Sequence, residues 1–222
     1  MPRGIFIAFE GIDGAGKTTQ VDRLADVLGQ AGISFVRSKE PTSGPWGQKI
    51  RRSAEDGRLT FDEELTAFIE DRKEHLRDVI QPALERGDVV ILDRYFYSTI
   101  AYQGSRSGDF ERVARIMFAN APDPDAVILL DVDPAVGISR IRKRGDAPNE
   151  FEGLDNLIKV REVFRKLAVS HKNITMIDAS PEEATVRKSV LSVLVNGIFS
   201  DRSNNLRPGS LPMLKRYLSE LP

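Results

Sequence analysis

The sequence predicts an α/β fold: a parallel sheet of five strands with helices on both faces. Three observations point there. Five short runs rich in β-branched residues recur along the 222-residue chain. Most of them are apolar throughout rather than alternating, which is the pattern of strands buried on both faces. Stretches with apolar residues three and four apart lie between them, joined by short segments, as strand–helix–strand units require.

The five runs are "GIFIAF" (Gly4–Phe9), "ISFV" (Ile33–Val36), "DVVILD" (Asp88–Asp93), "AVILLD" (Ala126–Asp131) and "NITMID" (Asn173–Asp178). A first helix is expected over Thr18–Leu28, where Val21, Leu24, Ala25 and Leu28 share a face, and a second over Gly44–Ala54. The stretch Asp62–Glu85 carries Leu65, Phe68, Ile69 and Leu76 at helical spacing, with a kink or late break at Pro82. Further helices are expected over Thr99–Ala119, Pro134–Arg142, Leu154–Ser170 and Pro181–Val195. "RKRGDAPNEFEG" (Arg142–Gly153) is polar and weakly periodic, so it reads as a mobile loop. There is no internal repeat. Residues 1–196 read as one domain, and residues 197–222 as a C-terminal extension made of a loop and a short helix.

Composition narrows the function. With 41% hydrophobic residues the chain has ample material for a core, and its net charge of −1 gives no bulk attraction to nucleic acid or anionic lipid. It has no cysteine, which excludes disulfides, thiolate metal sites and a cysteine nucleophile. His75 and His171 are the only histidines, which argues against a zinc site or a histidine-based triad. The N-terminal apolar run is too short for a signal peptide, and no stretch reaches membrane-span length. A cytoplasmic protein with neither nucleic-acid nor membrane partners is the expectation.

"FEGIDGAGKTTQ" (Phe9–Gln20) follows the first strand and opens the first helix. Gly11, Gly16, Lys17 and Thr18 fit G-x-x-x-x-G-K-[ST], with Ile12, Asp13, Gly14 and Ala15 at the variable positions. Glycines let the backbone curl so that successive N–H groups point at phosphate oxygens, and the helix that follows adds its positive end. Lys17 brings a point charge to the β/γ-phosphates, and the Thr18 hydroxyl is a Mg²⁺ ligand. The sheet is therefore of the P-loop NTPase type, and the loop holds a nucleoside triphosphate. Asp13 is unexpected inside an anion-binding loop. It either faces away, towards a group such as a sugar hydroxyl, or is a solvated turn residue.

"DRYFYSTIAYQGSR" (Asp93–Arg106) follows the third strand. Asp93 ends a buried strand, where ligands bind in open α/β sheets, and Arg94 offers a bidentate fork to phosphate. A GTPase would need a later Asn-Lys-x-Asp segment, which is absent, and a helicase or motor ATPase would be larger.

These segments, with "KEP" (Lys39–Pro41) and "FIEDRKEHLRDVIQPALERGDVVILDR" (Phe68–Arg94), resemble the thymidylate kinase family from Gly4 to about Val195. The resemblance implies transfer of the γ-phosphoryl of ATP to dTMP, giving dTDP and ADP for dTTP synthesis. It implies that Gly11–Thr18 cradle ATP, with Asp13 accepting the deoxyribose 3′-hydroxyl. Phe68 would stack on thymine and Arg72, one helical turn on, would donate to a thymine carbonyl. Read alone, Phe68 is as natural in a core and Arg72 as a solvated charge. Arg94 would hold the acceptor phosphate with Arg51, although Arg51 and Arg52 also suit a basic helix surface. Ser98, Thr99 and Gln103 would face thymine and sugar, Tyr102 the ribose, and Glu40 and Pro41 would flank the acceptor phosphate. Asp93 and Thr18 would place Mg²⁺, the cofactor implied, and a homodimer is the implied assembly.

Some family members carry a catalytic arginine within the phosphate loop, and Ile12 to Ala15 include none. The resemblance is then to the bacterial subtype, in which the lid supplies that charge. "SRIRKRGDAPNEFE" offers Arg140, Arg142, Lys143 and Arg144; Arg142 and Arg144, nearest the turn, are the expected catalytic pair. A basic helix end complementing its own dipole is the plainer reading. Two positions depart from the family: Lys39 stands where arginine is common, and "DAPNEFE" lacks a further arginine. A related kinase with another acceptor (dUMP, another monophosphate or a deoxynucleoside) and a non-catalytic nucleotide-binding regulator are the competing readings.

Overall fold

The structure, a computed structural model, describes residues 3–143, 145 and 153–221, and only the backbone for residues 54–56. Five parallel strands form one sheet: β1 (Ile5–Glu10), β2 (Phe35–Lys39), β3 (Val89–Asp93), β4 (Ala126–Asp131) and β5 (Ile174–Asp178), in the order β2-β3-β1-β4-β5. β1 is buried along its whole length between β3 and β4, so an uninterrupted apolar run suits it.

The chain leaves β1 for the β2 edge through helix α1 (Lys17–Gln30) but leaves β3 for β4 on the other side. The loops after β1 and β3 therefore diverge from neighbouring strands, which opens a crevice at their carboxyl ends. Asp93 stands there, paired in register with Phe9.

The remaining helices are α2 (Pro45–Asp56), α3 (Phe61–His75), α4 (Gln81–Glu85), α5 (Phe96–Ser107), α6 (Phe110–Asn120), α7 (Pro134–Lys143), α8 (Leu154–Ser170), α9 (Glu183–Asn196), α10 (Ile198–Asp201) and α11 (Ser210–Glu220). Thr60 and Glu63 begin α3 with a capping box, each side chain answering the other's backbone N–H. Behind the crevice, Phe6 meets Tyr95 edge-on at 5.1 Å and Phe96 stacks on Tyr97 at 4.3 Å. These buried rings anchor the start of α5, and with it the segment carrying Arg94.

Three expectations need correction. Thr99–Ala119 is not one helix: α5 starts earlier and ends at Gly108 (φ +73°), and the Asp109 carboxylate, accepting from the Arg112 N–H, starts α6. Pro82 does not break its helix. Because it brings no N–H to the preceding turn, the chain widens into a π-turn over Leu76–Ile80 and runs on into α4. β2 lies two residues later than Ile33–Val36, since pairing with β3 runs from Phe35 to Lys39 and draws in the polar Arg37 and Ser38 at an edge. Ile33 instead bonds through its N–H to Leu28 O after α1.

Beyond α9, α10, a 3-10 turn (Ser203–Asn205) and α11 pack back on the body. Ser210 Oγ donates to Ala31 O at 3.0 Å and Lys188 Nζ to Leu221 O at 2.9 Å, with Phe199 and Leu214 buried. Among the described residues no helix is long and apolar enough to cross a membrane.

Candidate active site

The phosphate loop is shaped by two close approaches. Gly11 (φ +139°) passes so near β4 that a Cβ there would sit 2.4 Å from Leu130 O. Gly14 (φ +78°) meets Gly137 of α7 backbone to backbone, where a side chain on either glycine would collide with the other segment. No side chain caps α1 at Gly16, so its first N–H groups are left for the hollow of the loop.

Lys17 is buried, and its Nζ donates to Gly11 O at 3.0 Å and Ile12 O at 2.8 Å. Burial and then the Arg94 charge push its ammonium down to about 8, against the upward pull of Asp13, Asp93 and Glu10. Deprotonation removes the charge that would meet phosphate. The kcat/KM for ATP, which reports the free enzyme, is therefore expected to fall as pH rises through about 8. Initial rates at subsaturating ATP test this, and a profile flat across that pH would contradict it.

Thr18 Oγ1 donates to Asp93 Oδ2 at 2.5 Å, while Asp93 Oδ1 is buried with no hydrogen-bond partner among the described residues. A hydroxyl and a carboxylate with a spare oxygen, side by side, are hard-oxygen donors suited to Mg²⁺. The described residues hold no larger acidic or histidine cluster for a metal. The residues present thus fit an ion that takes most of its ligands from phosphates and water rather than an all-protein cage.

Arg94 carries the only non-glycine positive φ (+70°) among the described residues, a strained setting held from several sides. Its N–H bonds to Phe9 O at 2.9 Å. Its guanidinium donates to Ser98 Oγ at 3.0 Å and to Asp13 Oδ1 at 2.5 Å, and lies over the Tyr102 ring. Burial alone would raise the Asp13 carboxyl, but Arg94, Lys17 and the Tyr102 hydroxyl, donating at 2.6 Å, hold it down at about 2. Asp13 is therefore an ionised group turned towards Arg94 and Tyr102, not a solvated turn residue.

Glu10 is the functional residue that sequence reasoning missed. It ends β1 fully buried; its Oε1 accepts from Tyr95 N (2.8 Å) and Ser98 N (3.2 Å), and its Oε2 from Ser98 Oγ (2.5 Å). It thereby caps α5 from another element, since no local side chain does so. Burial raises its carboxyl to about 7, despite the opposing Ser98, Arg94 and Tyr95 contacts. The signal for it was an acid closing a wholly apolar strand, a residue that burial obliges to find donors.

A cavity of about 340 Å³ opens between α2, α3 and α5 beside Asp13 and Arg94. Phe68 and Arg72 of α3 form one wall, and Ser98, Thr99, Tyr102 and Gln103 of α5 the other. Glu40, Pro41 and Arg51 also line it, and Ile50 and Tyr95 join them without having been anticipated. The structure thus gathers into one cavity every residue that the resemblance linked to the acceptor. Gln103 Oε1 is buried there with no partner among the described residues. Two of these side chains also hold partners within the protein. Glu40 is buried against Arg72 (2.8 Å), and Arg51 is engaged by its own neighbourhood, donating to Pro41 O at 3.0 Å and Thr42 O at 2.5 Å.

A smaller hollow of about 270 Å³ lies across the phosphate loop, lined by Gly16, Thr19, Gln20, Arg140 and Pro181. Arg140 donates to Ala179 O and Ser180 O, so it belongs to this wall and not to the turn after α7. Arg142 is exposed in the last turn of α7, beside Ser139, Lys143 and Leu154. Arg144 lies outside the described residues.

A family model described as thymidylate kinase matches residues 9–190, a span that contains the phosphate loop and both walls of the cavity. The chain belongs to the thymidylate kinase family. It is 47% identical over 207 residues to a protein named thymidylate kinase from Xanthomonas oryzae pv. oryzae, covering 93% of this chain and 90% of that one. A thymidylate kinase of Xanthomonas campestris pv. campestris is 46% identical over 211 residues, covering 94% and 89%. One from Xylella fastidiosa is 45% identical over 195 residues, covering 88% of each. In this member of the family, Lys39 stands exposed at the carboxyl end of β2, in register with Asp93, at the mouth of a third cavity that reaches Thr18.

Proposed function

We propose that this chain transfers the γ-phosphoryl of ATP to dTMP, giving dTDP and ADP for dTTP synthesis. The observation that carries this reading is a phosphate loop and a lined cavity joined by one arginine. Lys17 closes the phosphate loop, and Arg94 stands between that loop and a cavity whose walls offer a ring (Phe68), an arginine (Arg72) and a spare amide acceptor (Gln103). Family membership supports the substrates.

Gly11 to Thr18 take the triphosphate and the hollow beside Arg140 takes the donor base. Arg94 takes the acceptor phosphate, backed by Arg51. Asp13 and Tyr102 face the deoxyribose, Ser98 and Thr99 the sugar and base, and Phe68, Arg72 and Gln103 the thymine. The acceptor oxygen is already largely ionised at neutral pH, so no strong general base is required. The chain's work is to align the groups and to offset repulsion between two polyanions. Lys17 and Arg94 do this from the body, and Arg142 and Arg144 from the lid. Mg²⁺, bound with ATP and held by Thr18 and Asp93, would neutralise charge on the β/γ-phosphates. Residues 1–196 form the catalytic unit and 197–222 an extension braced on α1 and α9; the assembly is a cytoplasmic homodimer.

A coupled ADP-release assay against dTMP, dUMP, dCMP, dGMP, dAMP, UMP and thymidine tests the assignment. Turnover is expected to be highest with dTMP; another preferred acceptor would overturn the base-reading roles, and ATP binding without turnover would favour a regulator. Arg72→Ala is expected to raise KM for dTMP about 30-fold, the loss of one charged hydrogen bond, with KM for ATP little changed. Equal changes for both substrates would count against a base-reading Arg72.

A further inference from the structure

Arg72, the proposed reader of the acceptor base, is itself read by other side chains. Its Nε and Nη2 both meet Glu40 Oε2, at 2.9 and 2.8 Å, and Nη2 also donates to Thr99 Oγ1 at 3.0 Å. Nη1 donates to Met117 Sδ at 3.3 Å. A guanidinium carries five N–H groups. Three donate hydrogen bonds within the protein, one each from Nε, Nη1 and Nη2, while Nη2 also lies in ion-pair contact with Glu40; an N–H on Nη1 is left for a ligand in the cavity that Arg72 lines.

Which N–H stays free depends on Glu40. Its Oε2 takes both Arg72 contacts, and its Oε1 accepts from His75 Nδ1 at 3.1 Å. The other ring nitrogen, Nε2, meets Ser38 Oγ of β2 at 2.8 Å. With Nδ1 donating to a carboxylate, the neutral ring accepts the Ser38 hydroxyl proton at Nε2, so one tautomer satisfies both bonds. Glu40, Arg72 and His75 are each 5% exposed or less. Buried donors and acceptors of this kind hold position because leaving one unmatched is costly. His75 and Ser38 face away from the acceptor cavity, lining instead the neighbouring cavity that reaches Thr18 and Asp93. His75 thus has no place against the acceptor and acts only through Glu40.

We propose that His75 is a positioning residue for acceptor-base recognition: by fixing Glu40 it sets the rotation of Arg72 and the N–H that Arg72 offers. This rests on the reading of Arg72 as the base-contacting residue. Without the imidazole, Glu40 Oε1 loses its one partner among the described residues, and the carboxylate is free to turn and carry Arg72 with it.

The test compares His75→Ala and His75→Asn with the unaltered enzyme, measuring kcat, both KM values and thermal unfolding. His75→Ala is expected to raise KM for dTMP about 10-fold, as loss of an orienting partner does, with kcat and KM for ATP held within about twofold. His75→Asn, whose side-chain amide can donate where Nδ1 did, should recover most of the loss. A folded His75→Ala with unchanged KM for dTMP would overturn the proposal. So would a parallel rise in both KM values, or an asparagine variant no better than alanine. If His75→Ala fails to unfold cooperatively, Ser38→Ala, which only frees the ring, takes its place. It should raise KM for dTMP about threefold through loss of one neutral hydrogen bond, and no change would overturn the proposal. Arg72→Ala measured in parallel separates the two ideas. If Arg72→Ala raises KM for dTMP and His75→Ala does not, only the positioning role falls. If Arg72→Ala has no effect, the base-reading assignment falls first.

Discussion

Lys17→Ala is expected to lower kcat by about 1,000-fold, the scale found when one preorganised charge is removed from a developing anion. Lys17 is buried at the start of α1 and folded over two carbonyls of its own loop, so no other side chain of the loop can supply its charge. The acceptor cavity is built by α2, α3 and α5, and dTMP binding should remain measurable. Steady-state ADP release and calorimetric titration with dTMP check the two halves separately. Near-normal turnover would remove the phosphate-loop assignment, and loss of dTMP binding would show that Lys17 also organises the acceptor side.

Arg94→Ala is the second large effect. It deletes the proposed acceptor-phosphate clamp and strands Asp13, whose carboxyl is held at about 2 first against burial and then by that guanidinium. The kcat/KM for dTMP should fall by about 1,000-fold or more, as when one partner of a desolvated charge pair is cut away. Stability should fall by about 2 kcal/mol, because Asp13 and Ser98 lose a charged partner in a site still partly open to solvent. Arg94→Lys tests the fork itself. Lysine restores charge but donates from one nitrogen, so stability should recover more than kcat/KM does. Lysine performing as well as arginine in both measurements would reduce Arg94 to a point charge.

Contiguous residues account for what was readable in advance. The phosphate loop lies within Gly11–Thr18, and its strand–loop–helix setting is visible on either side. Helical spacing placed α3, and with it Phe68 and Arg72 on one face. The resemblance to a family then joined these to Asp93, Arg94 and the start of α5, and the structure brings Asp13, Phe68, Arg72, Arg94 and α5 into a single cavity, with Asp93 and Thr18 lining its neighbour. Boundaries failed where distant partners act. α5 begins three residues before its expected start because Glu10, far away in the chain, accepts from its first N–H groups. β2 is drawn past its apolar residues by the register of β3.

The sequence by itself determined that this protein has a parallel α/β sheet, a loop for a triphosphate after the first strand, and an acidic–basic pair after the third. Each of these is a pattern among near neighbours, and periodicity, glycine freedom and helix polarity act locally. Tertiary structure alone decided the partners: Glu10 beneath α5, Asp13 against Arg94 and Tyr102, and Glu40 between Arg72 and His75. Those pairings join residues up to 89 positions apart. A buried charge takes whichever donor the packing brings to it, and only the folded chain says which one that is.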